Sequence, residues 1–145
     1  MNKIIVFLLL ISISGFGQQQ DIEKPIRNLF LGMKNADPLL VKSVFAENAV
    51  LQTITKEGAV KSESIQDFIA SVSKFPKGEL DEKIIVEAVH TEGKLASVFT
   101  PYSFYLKGKL SHCGANSFQL VKQNNEWKIQ YIIDTRRKEN CKEIQ

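Results

Sequence analysis

Apolar residues recur at helical spacing between residues 21 and 72, and from residue 80 onward they alternate as in strands. Asp21 is placed to cap a helix carrying Ile22, Ile26, Leu29, Phe30 and Met33 on one face. Pro25 falls in its first turn, where a missing N–H is tolerated. Asn35-Ala36 interrupts that helix, and Asp37-Pro38 starts a second with an N-cap followed by proline. Leu40, Val41, Val44 and Phe45 form its expected buried stripe, and so tight a connection implies a helical hairpin. Ala49 to Thr55 turns β-branched, and Glu57-Gly58 marks a turn. Ser62 or Ser64 then caps a third helix bearing Ile65, Phe68, Ile69 and Val72, which Phe75-Pro76-Lys77-Gly78 ends.

Four long strand-like runs follow: Leu80–Thr91, Lys94–Lys107, Lys109–Gln123 and Glu126–Arg136. Glu92-Gly93, Gly108 and Asn124-Asn125 sit between them as hairpin turns. Strands longer than the usual five or six residues twist and curl, and a curled sheet needs its concave side filled. The pattern therefore predicts an α+β protein, a curved antiparallel sheet closed as a cone on three helices.

The first seventeen residues read differently. Met1-Asn2-Lys3 is a short positive start, Ile4 to Ile13 is apolar apart from Ser12, and Ser14-Gly15-Phe16-Gly17 supplies small residues. This is the plan of a signal peptide cut near Gly17, since about ten apolar residues fall well short of the roughly 20 that span a bilayer. The expected organisation is a leader over 1–17, one domain over 18–137 and a tail over 138–145. The mature protein is expected to be exported to periplasm or medium, with no membrane association after cleavage. In an oxidising compartment Cys113 and Cys141 are a candidate disulfide, the alternative being a buried Cys113 and a loose Cys141. A formal charge of +3 is too small to argue for nucleic acid. His90 and His112, on different strands without ligand spacing, argue against a metal site. No cofactor is expected.

Alternation places candidate chemistry. Stepping back from Phe118 and Leu120 brings Asn116, Gly114 and His112 onto one inward face. Tyr102, Phe104 and Leu106 share a face of the preceding strand, with Thr100-Pro101 signalling a bulge or an edge. On the last strand Trp127, Ile129, Tyr131 and Ile133 alternate inward, which points Asp134 outward unless the strand kinks. Asp134 beside covered surface needs a partner, and Arg136 or His112 is within reach. These residues read either as a site or as structure: a rim histidine, a packed tyrosine and an ion pair locking the strand.

The order helix, helix, strand, helix and long meander resembles the nuclear transport factor 2-like (NTF2-like or SnoaL-like) superfamily, a cystatin-like α+β roll. Phe45-Ala46-Glu47-Asn48-Ala49-Val50-Leu51, Phe118-Gln119-Leu120-Val121-Lys122 and Glu126-Trp127-Lys128-Ile129 carry the resemblance, which runs from Asp21 to about Arg137. It implies a pocket in the mouth of the cone, and an exported bacterial branch carries a lumazine-binding label. The isomerase design of that superfamily does not transfer: Ala49-Val50-Leu51-Gln52-Thr53 has no acid and the first helix, Ile22 to Lys34, has no tyrosine. An acid–arginine–acid relay finds Asp134 and Arg136 but no evident second acid. Three functions remain open. The first is binding of a small, partly apolar organic molecule by Tyr102, His112, Asn116, Asp134 and Arg136. The second is a cofactor-free acid–base enzyme (isomerase, dehydratase or cyclase type) with His112 as base and Asp134 orienting it. The third is a homodimer whose sheet face offers Phe99, Tyr105 and Ile132.

Overall fold

The computed structural model describes residues 2–144, with side chains described from residue 17 onward. The leader expected over residues 1–17 thus falls on side chains outside the described residues, Gly17 excepted. Helix α1 spans Asn2–Asn35, and Ile22, Ile26, Leu29, Phe30 and Met33 are all buried, the face their spacing predicts. Burying an aliphatic or aromatic side chain of this size is worth about 1.5–3 kcal/mol, so this stripe fixes how the helix docks. The helix begins upstream of Asp21, however. Asp21 is therefore no cap, and Pro25 lies inside the helix, denying the Asp21 carbonyl its usual amide partner.

Ala36 turns the chain with φ of 53°, and Asp37 caps α2 (Pro38–Ser43) by accepting from the amides of Leu39 and Leu40 at 3.1 and 3.0 Å. The two helices touch at Gly32, where a Cβ would stand 2.7 Å from Val41 Cγ2. Helix α3 (Ile65–Val72) is capped by Ser64, whose hydroxyl accepts from the Asp67 amide at 3.3 Å.

Seven strands form one sheet: β1 (Phe45–Ile54), β2 (Val60–Glu63), β3 (Leu80–Ile84), β4 (Ala88–Glu92), β5 (Leu95–Leu106), β6 (Lys109–Gln123) and β7 (Glu126–Thr135). Their order is β2-β1-β7-β6-β5-β3, with β4 continuing along β5 beyond β3. The three C-terminal strands are the expected meander. The expected run Leu80–Thr91 is instead two strands. The break lies opposite Pro101, whose carbonyl still accepts from the Ile85 amide at 3.0 Å while its nitrogen can donate nothing back. Pairing of β5 with β6 runs through Thr100, Pro101 and Tyr102 without a break. Strand β1 lies parallel to β7, so the first strand of the chain closes against the last.

Strand β7 corrects the simple alternation. Gln119 pairs with Tyr131 and Leu120 with Ile129, which leaves Gln130 as an extra residue. Trp127 and Ile129 face inward, but past the bulge it is Ile132 and Asp134 that are buried. Tyr131 and Ile133, expected inward, turn to the outer face, where the Tyr131 hydroxyl donates to Gln52 Oε1 at 2.7 Å. Ile132, 4% exposed, lies in the core and cannot serve as the outer contact of a dimer.

The core sits between the concave sheet and the helices, where the Phe30 and Phe118 rings meet edge to face at 6.2 Å. Cys113, on the convex side of β6, forms a disulfide with Cys141. The Arg137 and Cys113 backbones also exchange two hydrogen bonds of 2.9 Å, strapping the C-terminal segment to the sheet. The tail continues to the Ser103 hydroxyl, which donates to the Lys142 carbonyl at 2.9 Å and accepts from the Ile144 amide at 3.2 Å. Among the described residues no helix is long and apolar enough to cross a membrane.

Candidate functional site

The cone is not filled to its mouth. Helices α1 and α3 contribute Phe30, Met33, Phe68 and Val72 to the walls of a cavity of about 220 Å³, and the sheet contributes Phe104, Phe118 and Ile132. Polar side chains from five different strands or their ends meet on this apolar lining: Glu63 from β2, Glu82 from β3, Tyr102 from β5, His112 and Asn116 from β6, and Asp134 and Arg136 at the end of β7. Tyr102, His112, Asn116, Asp134 and Arg136, the five expected site residues, thus line one cavity, although alternation alone pointed Asp134 outward. Asp134 reaches it because of the Gln130 bulge, the kink on which its inward placement depends.

Gly114 makes this meeting possible. A Cβ there would collide with the Thr135 carbonyl oxygen and press on the Tyr102 ring, so only glycine allows β7 to end against β6. Asp134 is buried and accepts from Thr53 Oγ1 at 2.5 Å and from Arg136 Nε at 2.8 Å. The Tyr102 hydroxyl lies 2.9 Å from the Thr135 carbonyl, its better acceptor, and 3.3 Å from Asp134 Oδ2. Burial, then the charges of Asp134 and Glu82, hold the Tyr102 phenol far above its ordinary range, so it remains a donor.

His112 stands between aromatic rings, 4.9 Å from Phe104 and 5.7 Å from Tyr102 centre to centre. Its Nδ1 meets the Ser111 hydroxyl at 3.1 Å. The structure does not join His112 to Asp134 by a hydrogen bond, because the carboxylate is already occupied by Thr53, Tyr102 and Arg136. Burial, and secondarily Arg136, push the imidazole below its usual value, the Asp134 charge offsetting only part of this. Burial and Arg136 both favour the uncharged ring, which donates from one nitrogen and accepts at the other.

Glu82 was not among the expected residues. Asn116 Nδ2 donates to Glu82 Oε1 at 2.9 Å and lies 3.4 Å from Thr100 Oγ1. Removal from bulk water raises the Glu82 carboxyl to about 7; the Asn116 hydrogen bond opposes this and the Asp134 charge adds to it. A carboxyl near 7 is half protonated at neutral pH and can give or take a proton within the cavity. The sequence does hold a signal for it. In Leu80-Asp81-Glu82-Lys83-Ile84, Glu82 shares strand parity with Leu80 and Ile84, an acid on an otherwise apolar face. The second acid that an acid–arginine–acid relay lacks in the linear reading is therefore present in the folded cavity. Among the described residues no cluster of histidine, cysteine and acidic side chains could hold a metal ion.

Comparison with known proteins agrees with this architecture. A family described as "Putative lumazine-binding" matches residues 17–131. No curated protein matches the sequence. An NTF2-like protein of unknown function from Shewanella baltica OS155 superposes with a TM-score of 0.70 at 15% identity, over 85% of this chain and 96% of that one. A second NTF2-like protein of unknown function, from Silicibacter pomeroyi DSS-3, gives 0.69 at 15% identity, over 85% and 98%. A protein described as "Putative Scytalone Dehydratase", from Novosphingobium aromaticivorans DSM 12444, gives 0.69 at 12% identity, over 88% and 89%. At such identities these structures establish a common fold.

Proposed function

Since the chain belongs to the family described as "Putative lumazine-binding", within the NTF2-like superfamily, we propose that its cone cavity binds one small, partly apolar organic molecule. The observation that carries this reading is the convergence of Glu82, Tyr102, His112, Asn116 and Asp134 on one apolar cavity of about 220 Å³. Pockets for drug-sized ligands run from about 300 Å³ upward, so the occupant is smaller, one ring or a fused pair. Lumazine, a flat bicycle with polar edges and apolar faces, has the right character. Its amide-like edge would meet Asn116 and the protonated Glu82, and its faces the phenylalanines. Titration of the ¹⁵N-labelled chain with lumazine is expected to give saturable shifts at Leu51, Phe104, Asn116 and Ile132. Saturable shifts confined to the outer face of the sheet would contradict the reading.

One observation favours a second reading, an acid–base enzyme. The carboxyls of Glu82 and Asp134 line one cavity, Glu82 pushed up to about 7 chiefly by burial and Asp134 ion-paired with Arg136. In that reading Glu82 moves the proton and His112, unpaired with Asp134, orients the substrate. Turnover that disappears in Glu82→Gln while binding persists is its signature; binding without turnover of any bound compound removes it.

The protein is exported and cut near Gly17. The Cys113–Cys141 disulfide supports an oxidising compartment, and the family match starts at residue 17. Intact mass of the protein recovered from each cell fraction tests this directly. An uncut chain in the cytosol would overturn it.

A further inference from the structure

Beside the cavity lies a second hollow of about 510 Å³, and His112 and Arg136 line both. The outer hollow is strongly basic. Lys56, Arg136, Arg137 and Lys138 line it, against the single acid Glu139. We propose that this strapped basic vestibule binds the oxyanion of the ligand, a carboxylate or a phosphate, whose ring occupies the cone. The inference rests on the cone being the binding site and names the class of molecule it takes.

Three features carry it. First, Arg136 spends only its Nε on Asp134, at 2.8 Å, and its two Nη groups have no partner among the described residues. The side chain is 48% exposed and lines both the cone, where the Glu63 charge also acts on it, and the vestibule. A guanidinium with its Nε tied down is a pre-aimed fork for a carboxylate or phosphate. Second, the basic segment is held in place. The disulfide at Cys141 and the paired Arg137 and Cys113 backbones fix residues 137–141 beside the mouth, whereas a free tail would carry its charges into solvent. Third, the cone itself suits no anion. It already holds Asp134 and a carboxyl in Glu82 that resists ionisation there, so a charged ligand group is turned outward to the vestibule.

The experiment titrates the disulfide-bonded, ¹⁵N-labelled chain with indole, indole-3-acetate and 3-indoxyl phosphate, one ring with no anion, a carboxylate or a phosphate. Both anions are expected to bind at least about tenfold tighter than indole, as charge-assisted bonds to a fixed arginine imply. Shifts should appear in the cone (Phe104, Asn116) and at Arg137 and Lys138 together. The anion advantage is expected to shrink to under about threefold in roughly 0.5 M salt on the unaltered chain, where charges are screened beyond a few ångströms. It should likewise shrink in the Lys56→Gln/Lys138→Gln pair and in Cys113→Ser/Cys141→Ser, with indole affinity unchanged in each. The stronger anion identifies which oxyanion is preferred. Equal affinity for all three compounds, with shifts in the cone, overturns the vestibule and leaves the cone reading intact. Anion shifts at the vestibule with none in the cone, or no binding by any of the three, overturn both.

Discussion

Replacing Glu82 by glutamine removes a titration while keeping the shape and the oxygen that accepts from Asn116 Nδ2. In the unfolded chain the carboxyl titrates near 4.5, and in the cavity near 7. At roughly 1.4 kcal/mol per pH unit, the difference is worth about 3 kcal/mol. That is an upper figure, because the cavity lets some water approach. The sign follows from which state holds the proton more tightly. The folded state does, so the favourable contribution is complete below pH 4.5, fades as pH rises, and is gone above about 7. Glutamine, neutral throughout, loses nothing. The stability of Glu82→Gln relative to the parent should therefore climb by about 3 kcal/mol between pH 4.5 and 8, with the variant the more stable at pH 8. In melting temperature the gap is on the order of 10 °C. Urea unfolding at pH 5, 6, 7 and 8 measures it, with the fluorescence of the single tryptophan, buried Trp127, as readout. A difference that stays flat across this range would refute the placement of Glu82 in a water-poor cavity.

Gly114→Ala drives a methyl into the Thr135 backbone and is expected to cost roughly 2–4 kcal/mol in urea unfolding. A loss under about 0.5 kcal/mol would mean that β7 does not end where described. Reducing the Cys113–Cys141 bridge, which closes 28 residues, should lower stability by about 3–4 kcal/mol; identical denaturation curves with and without reductant would contradict the strap. His112 should titrate below 6.5 when followed by NMR, and Arg136→Gln should raise its midpoint by removing a nearby positive charge. A midpoint above 6.5 in the parent chain would show the ring to be solvated or paired with Asp134.

Most of this fold is legible along the chain, for reasons that differ by element. Helices α1, α2 and α3 each announce an apolar face, and Asp37 and Ser64 supply the caps of the last two. Strands β5, β6 and β7 alternate over ten or more residues between turn signals. Strand β2 is exposed at every position and so leaves no hydrophobic period to read. The parallel pairing of β1 with β7 joins residues some eighty apart, which no local pattern encodes. The site was half legible. Tyr102, His112 and Asn116 follow from strand parity, but Ile132-Ile133 is apolar on both faces and cannot reveal the one-residue bulge at Gln130 that brings Asp134 inside. Glu82 lay on the parity of Leu80 and Ile84, in a run that looks merely charged when read without its faces.

The central claim is that the cone, rather than the outer sheet, holds a small molecule. Isotope-filtered nuclear Overhauser contacts from lumazine to the methyl groups of Leu51, Val72 and Ile132, all cavity residues, test it most directly. Contacts to these three and none to the outward Ile133 are the predicted result. Contacts to Ile133 with none to Leu51, Val72 or Ile132 would contradict it.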